Sequence, residues 1–182
     1  MINMTVADLN IVNYCHSSCK PLLNIMRLPK AQAFALAAKM AEQNKDTTAF
    51  YRFADFQNYY PARLKTDKLL RDRFIELGGK PTQQHPLSFV LQGSDYLNGW
   101  FDNGIITKFP LSVLDEDSAS FTYGDSMSTL AKRGKITMLT KSMLLKEISD
   151  FDGTLDEFLA TVAEQYRYIE VQVWNDDCLG LK

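Results

Sequence analysis

Residues 118–129 read SASFTYGDSMST, an apolar stretch that runs into Gly124-Asp125-Ser126. A serine on a turn after a strand can act as a nucleophile, provided a base takes its proton. Only two histidines are present, His16 and His85, and both precede it. Gly-Asp is also an ordinary turn dipeptide that carries a serine incidentally. NYCHSSCK (13–20) offers Cys15, His16 and Cys19 as soft metal ligands, with Cys178 a distant fourth. A Cys-x3-Cys spacing with no second cluster to complete four ligands reads better as buried or idle thiols, so no metal is expected. Three more residues stand out because they interrupt apolar segments: Arg52 in AFYRFADF, Ser88 in HPLSFVL and Glu170 in YIEVQVW. Burying an unpaired charge is costly. Arg52 therefore either pairs with a carboxylate such as Asp55 or serves a site, and Glu170 either faces water or does the same. Tyr51, Tyr96 and Trp100 add planar faces on which a ring can stack.

The elements that must position these groups follow from periodicity and punctuation. LPKAQAFALAAKMAEQN (28–44) predicts a helix, with Pro29 in the first turn and Phe34, Ala37, Ala38 and Ala41 at helical spacing. TTAFYRFAD (47–55) is β-branched and aromatic and predicts a strand. A second long helix is expected over 60–81, with Leu64, Leu70, Phe74 and Leu77 inward and an end at Gly78-Gly79. Strands are expected at 85–92, 105–109, 118–123, 135–139 and 168–174. Helices are expected at 94–101, capped by Ser94, at 140–149, and at 154–166, where Thr154 and Glu157 form a capping box. Helices and strands interleave irregularly, which points to one α+β domain with a mixed, mainly antiparallel central sheet flanked by helices. Residues 1–45 are read as a helical segment packing on the core 46–182.

Gly124-Asp125-Ser126-Met127 resembles the Gly-Asp-Ser block of the GDSL serine hydrolases. That family places its histidine base after the serine, in an Asp-x-x-His absent here. DFDGTL (150–155) resembles the aspartate signature of haloacid-dehalogenase-type phosphatases. Those need the aspartates at a strand end, whereas Asp150 follows a helical segment. The order strand-borne Arg52, then strand–helix–strand with Ser88, then late strand-borne Glu170 resembles the ADP-ribosyltransferase-like fold over residues 47–174. The resemblance implies NAD as the cofactor, Arg52 on its phosphates or ribose, Ser88 in the pocket wall and Glu170 in the catalytic place. There a carboxylate would stabilise positive charge developing on the ribose. The family's Ser-Thr-Ser block is not literal, since Phe89 and Val90 follow Ser88. The Glu-x-Glu of arginine-modifying members is missing too, because Tyr168 holds the earlier position.

The chain has 182 residues, 46% of them hydrophobic and 23% charged, the balance of a folded domain. Twenty basic and 22 acidic residues leave a net charge of −2, against a bulk electrostatic hold on nucleic acid. No apolar run is long enough to span a bilayer and the N-terminus lacks the pattern of a signal peptide, so a cytoplasmic protein with reduced thiols is expected. The functional expectation is nucleotide recognition, in the form of an NAD-dependent ADP-ribosyltransferase-like enzyme. The alternative is a non-enzymatic binding or inhibitor protein that holds a protein partner or a nucleotide-like ligand, without turnover, on an aromatic and arginine surface centred on FYRFADFQNYY.

Overall fold

The computed structural model describes residues 9–181; most of the N-terminal stretch read for a leader lies outside them. Asn10–Cys15 (β1) is the first element, followed by Lys30–Gln43 (α1), Tyr51–Ala54 (α2) and Phe56–Glu76 (α3). Leu87–Leu91 (β2), Asp95–Trp100 (α4), Ile105–Pro110 (β3) and Ala119–Tyr123 (β4) come next. Ser126–Arg133 (α5), Met138–Leu139 (β5), Lys141–Asp150 (α6), Leu155–Tyr166 (α7) and Ile169–Val173 (β6) complete the fold. The strands form one six-stranded sheet in the order β3-β1-β2-β6-β4-β5, and every pairing is antiparallel. The α+β expectation holds. No helix among the described residues is long and apolar enough to cross a membrane.

Alternation along the strands gives the sheet two unlike faces. Ile169, Val171 and Val173 of β6 join Leu87, Phe89 and Leu91 of β2 and Phe121 of β4 in one buried cluster with Leu144 and Ile148 of α6 and Leu155, Phe158 and Val162 of α7. The intervening residues Glu170, Gln172, Ser120 and Thr122 point to the opposite face and are buried there as well. α3 covers that face. Its Leu70 and Phe74 pack on Trp174 and Met138, while its earlier inward positions are Arg63, Thr66 and Asp67.

Several expectations change. Residues 47–55 are not a strand. The Thr47 hydroxyl accepts from the Ala49 N–H and opens a 3-10 turn at Thr48–Phe50, which runs into α2. The aromatic residues here recur every three or four positions. Phe50, Phe53, Phe56 and Tyr60 make consecutive ring contacts at 5.6–5.8 Å, a helical ladder that docks on Phe34 of α1. Residues 10–15 form an interior strand, although the segment 1–45 is read above as helical. α3 begins four residues before the expected position 60, and Leu64 is exposed, because Arg63 and Asp67 take the inward turn. Thr154 and Glu157 do form the capping box of α7.

Candidate functional site

The chemistry gathers where three neighbouring strands reach one end of the sheet: β2 leaving at Gln92, β4 leaving at Gly124, and β6 entering at Ile169. Gly124 has a φ of +78°, and a Cβ there would lie 2.9 Å from Thr129 Oγ1 and 3.2 Å from the Tyr166 carbonyl. Only glycine fits such a turn without strain. The turn starts α5, with Asp125 as N-cap accepting from the Ser128 N–H at 2.7 Å.

Asp125 and Ser126 connect the two groups singled out from sequence. Arg52 lies 3.5 Å from Asp125 Oδ1 and donates to Ser128 Oγ at 3.4 Å. Its Nε donates to the Tyr51 hydroxyl at 2.9 Å, and its guanidinium sits over the Tyr51 and Tyr59 rings. On the other side, Glu170 accepts from the Ser126 N–H at 2.9 Å and from Ser126 Oγ at 3.1 Å. A relay of hydrogen bonds across β4 and β6 ends on the same carboxylate. Trp174 Nε1 donates to Ser120 Oγ at 2.9 Å, and Ser120 Oγ donates to Gln172 Oε1 at 2.8 Å. Gln172 Nε2 then donates to Thr122 Oγ1 at 2.8 Å and to Glu170 Oε1 at 3.0 Å. Polar groups buried in an apolar layer must be satisfied this fully or they destabilise it.

The electrostatics are those of a compact charged cluster. Burial raises the Glu170 pKa above the ordinary carboxylate value; Asp125 pushes it further, and Arg63 and the hydrogen bonds from Gln172 and Ser126 only partly offset this. Burial pushes Asp125 upward as well, but the Arg52 guanidinium and the Ser128 hydrogen bonds outweigh it, and the net shift is downward. For Arg52 and Arg63 burial works against the charge, and the neighbouring carboxylates and tyrosines more than restore it. Tyr168 is raised by burial and then by Asp125 and Glu170, so its phenol stays protonated.

Arg52, Tyr51 and Glu170 are thus brought to one place, and Trp100 and Tyr96 extend it. Tyr51 meets Trp100 edge-on at 5.6 Å, and Trp100 meets Tyr96 at 6.0 Å. Tyr51 is 53% exposed and Tyr96 44% exposed, with the Arg52 guanidinium over the first ring and the Arg167 guanidinium over the second. Ser88 is not part of this group. It pairs with Gln172, whereas Val90 pairs with Glu170, so register carries Ser88 away from the strand end, where its hydroxyl is exposed. Arg52 arrives on a helix rather than on a strand.

Sequence reading missed the second ion pair. Arg63 lies 2.7 Å from the fully buried Asp67, whose other oxygen is 2.6 Å from His85 Nδ1. The i,i+4 spacing of Arg63 and Asp67 within a helical segment was the available signal. The serine-nucleophile resemblance lacks its base. The Ser126 hydroxyl is committed to Glu170, while His85 is held by Asp67 and His16 lies 3.3 Å from Asp102. Asp150 closes α6 in an ion pair with Lys146, away from any strand end. Cys15, Cys19 and Cys178 are free and half-buried, and no group of three or more metal-ligating side chains occurs among the described residues. Searches against protein-family descriptions, curated proteins and solved structures find no match to this chain.

Proposed function

We propose that the protein recognises a nucleotide at this strand end and acts as an NAD-dependent ADP-ribosyltransferase-like enzyme. The observation that carries the reading is the convergence of Arg52 and Glu170 on the two sides of the Asp125-Ser126 turn. The residues suit a dinucleotide. Arg52 is part-exposed and only loosely tied to Asp125 at 3.5 Å, so its guanidinium can still take phosphate oxygens. Tyr51, Trp100 and Tyr96 offer ring faces to a base or nicotinamide. Bound NAD supplies a glycosidic bond whose cleavage places positive charge on the ribose.

The part left to the chain is electrostatic. Glu170, ionised and held in a fixed orientation by Ser126 and Gln172, favours positive charge nearby. Its raised pKa means that this function grows as pH increases through that pKa, since the protonated acid offers no charge.

A second reading has its own support. Glu170 is only 4% exposed and takes three hydrogen bonds, the environment of a structural carboxylate. On that reading the aromatic and arginine surface binds a ligand or a protein partner without turnover.

Thermal unfolding with NAD, ADP-ribose and other nucleotides separates the two. Saturating NAD should raise Tm by several degrees, as a ligand specific to the folded state does. Arg52→Ala should abolish that rise. Glu170→Gln should keep it but lose nicotinamide release. Binding without release in the wild type selects the non-catalytic reading, and a flat response to every nucleotide refutes nucleotide recognition.

A further inference from the structure

A concavity lies beside the strand end, on the α7 flank. Leu91 and Gly93 leave β2 on one wall, Leu159, Ala160 and Ala163 of α7 form the other, and Arg167 stands at the rim of a space of about 300 Å³. The walls are apolar and the ends are not. Asp156 opens α7 and Arg167 follows its last turn, so on the order of 16 Å of helix separates the acid from the cation.

Arg167 is placed unusually. Its φ is +72°, a left-handed conformation that side-chain-bearing residues rarely adopt. Its guanidinium lies 4.2 Å from the centroid of the Tyr96 ring, and among the described residues it makes no ion pair and no side-chain hydrogen bond, not even to the last carbonyls of α7. Stacked on an aromatic face, a guanidinium keeps its N–H edge free for two parallel bonds to an oxyanion.

We propose that this groove is a binding site, adjoining the nucleotide site at Tyr96, for a small anion with an apolar body, the oxyanion on Arg167 and the body against Leu159, Ala160 and Ala163. The anionic group is a phosphate or a carboxylate, and the two share the same bidentate geometry toward arginine. The site stands whether or not Arg52 and Glu170 handle a nucleotide.

Phenyl phosphate and benzoate are the probes, with phenol and benzamide as neutral counterparts, titrated into the 182-residue chain and followed by amide NMR shifts. Saturable shifts at Leu91, Gly93, Ala160 and Arg167 are expected for at least one anion, and the tighter of the two identifies the head group. The neutral counterparts should bind at least tenfold more weakly. Arg167→Gly is the informative variant, because glycine suits the left-handed backbone: Tm should hold or rise while anion affinity falls at least tenfold. Ala160→Trp, at an exposed helix position, should block binding with Arg167 intact. No saturable shift at millimolar probe, equal binding of the neutral counterparts, or unchanged affinity in Arg167→Gly each overturns the proposal.

Discussion

The two faces of the sheet are built from the same strands and do opposite things. Along β6, Ile169, Val171 and Val173 enter an all-apolar core with α6 and α7, while Glu170 and Gln172, one residue out of phase, join a hydrogen-bonded layer beneath α3. The apolar face is tolerant in kind: any side chain of the right volume serves it. The polar face is intolerant, since each group there needs one particular partner, and removal of one partner strands another in a dry environment. Apolar packing is spread over the first face, and the charged groups are concentrated at one end of the second.

Substitutions can test that contrast. The largest effects should come from Phe121→Ala on the apolar face and Arg63→Met on the polar one, each costing about 3–5 kcal/mol in urea unfolding. Their rescue should differ. Adding Asp67→Leu to Arg63→Met should recover part of the loss, because the buried carboxylate that has lost its guanidinium and keeps only His85 is then gone. No single polar change should rescue Phe121→Ala, which leaves a cavity. If the Arg63/Asp67 double variant is no better than the single one, the polar layer is not held by pairing.

Next in size is a pH effect. A carboxylate whose folded pKa is raised binds more protons folded than unfolded, so it makes stability fall as pH rises from its ordinary 4.5 through the folded value. Glu170→Gln should remove that fall, measured as a flatter profile of urea midpoints above pH 4.5. Asp125 works in the other direction. Its lowered pKa supports the fold above the ordinary carboxylate range and loses that support as pH falls below it. A wild-type profile that rises steadily from pH 5 to 8 would contradict the Glu170 assignment. The smallest effect belongs to the periphery. Thr154→Ala removes the cap of α7 and should cost about 1 kcal/mol without changing the response to NAD.

What could be read from sequence follows the same division. The apolar alternation of β2, β4 and β6 and the α7 capping box are written locally, and the expected strands and helix are where the pattern puts them. The misreading at 47–55 came from composition. Phe and Tyr favour strands on average, but rings at 50, 53, 56 and 60 keep a helical beat that tertiary packing against Phe34 makes decisive. Arg52 and Glu170 were visible as charges in apolar company, and pairing was a stated alternative for Arg52. Its partner proved to be Asp125 rather than Asp55, because that contact depends on how α2 folds over the strand end. Arg63, Asp67 and His85 were hidden because α3 was oriented by its leucines, whereas its second and third turns carry charge inward.

The strand order has a consequence for assembly. β6 sits between β2 and β4, so it alone joins the β3-β1-β2 ribbon to the β4-β5 pair. Without β6, the facing edges of β2 and β4 would carry unpaired backbone groups, the kind of edge that pairs with a neighbouring molecule. The carboxylate that completes the polar layer thus sits on the same strand that closes both edges.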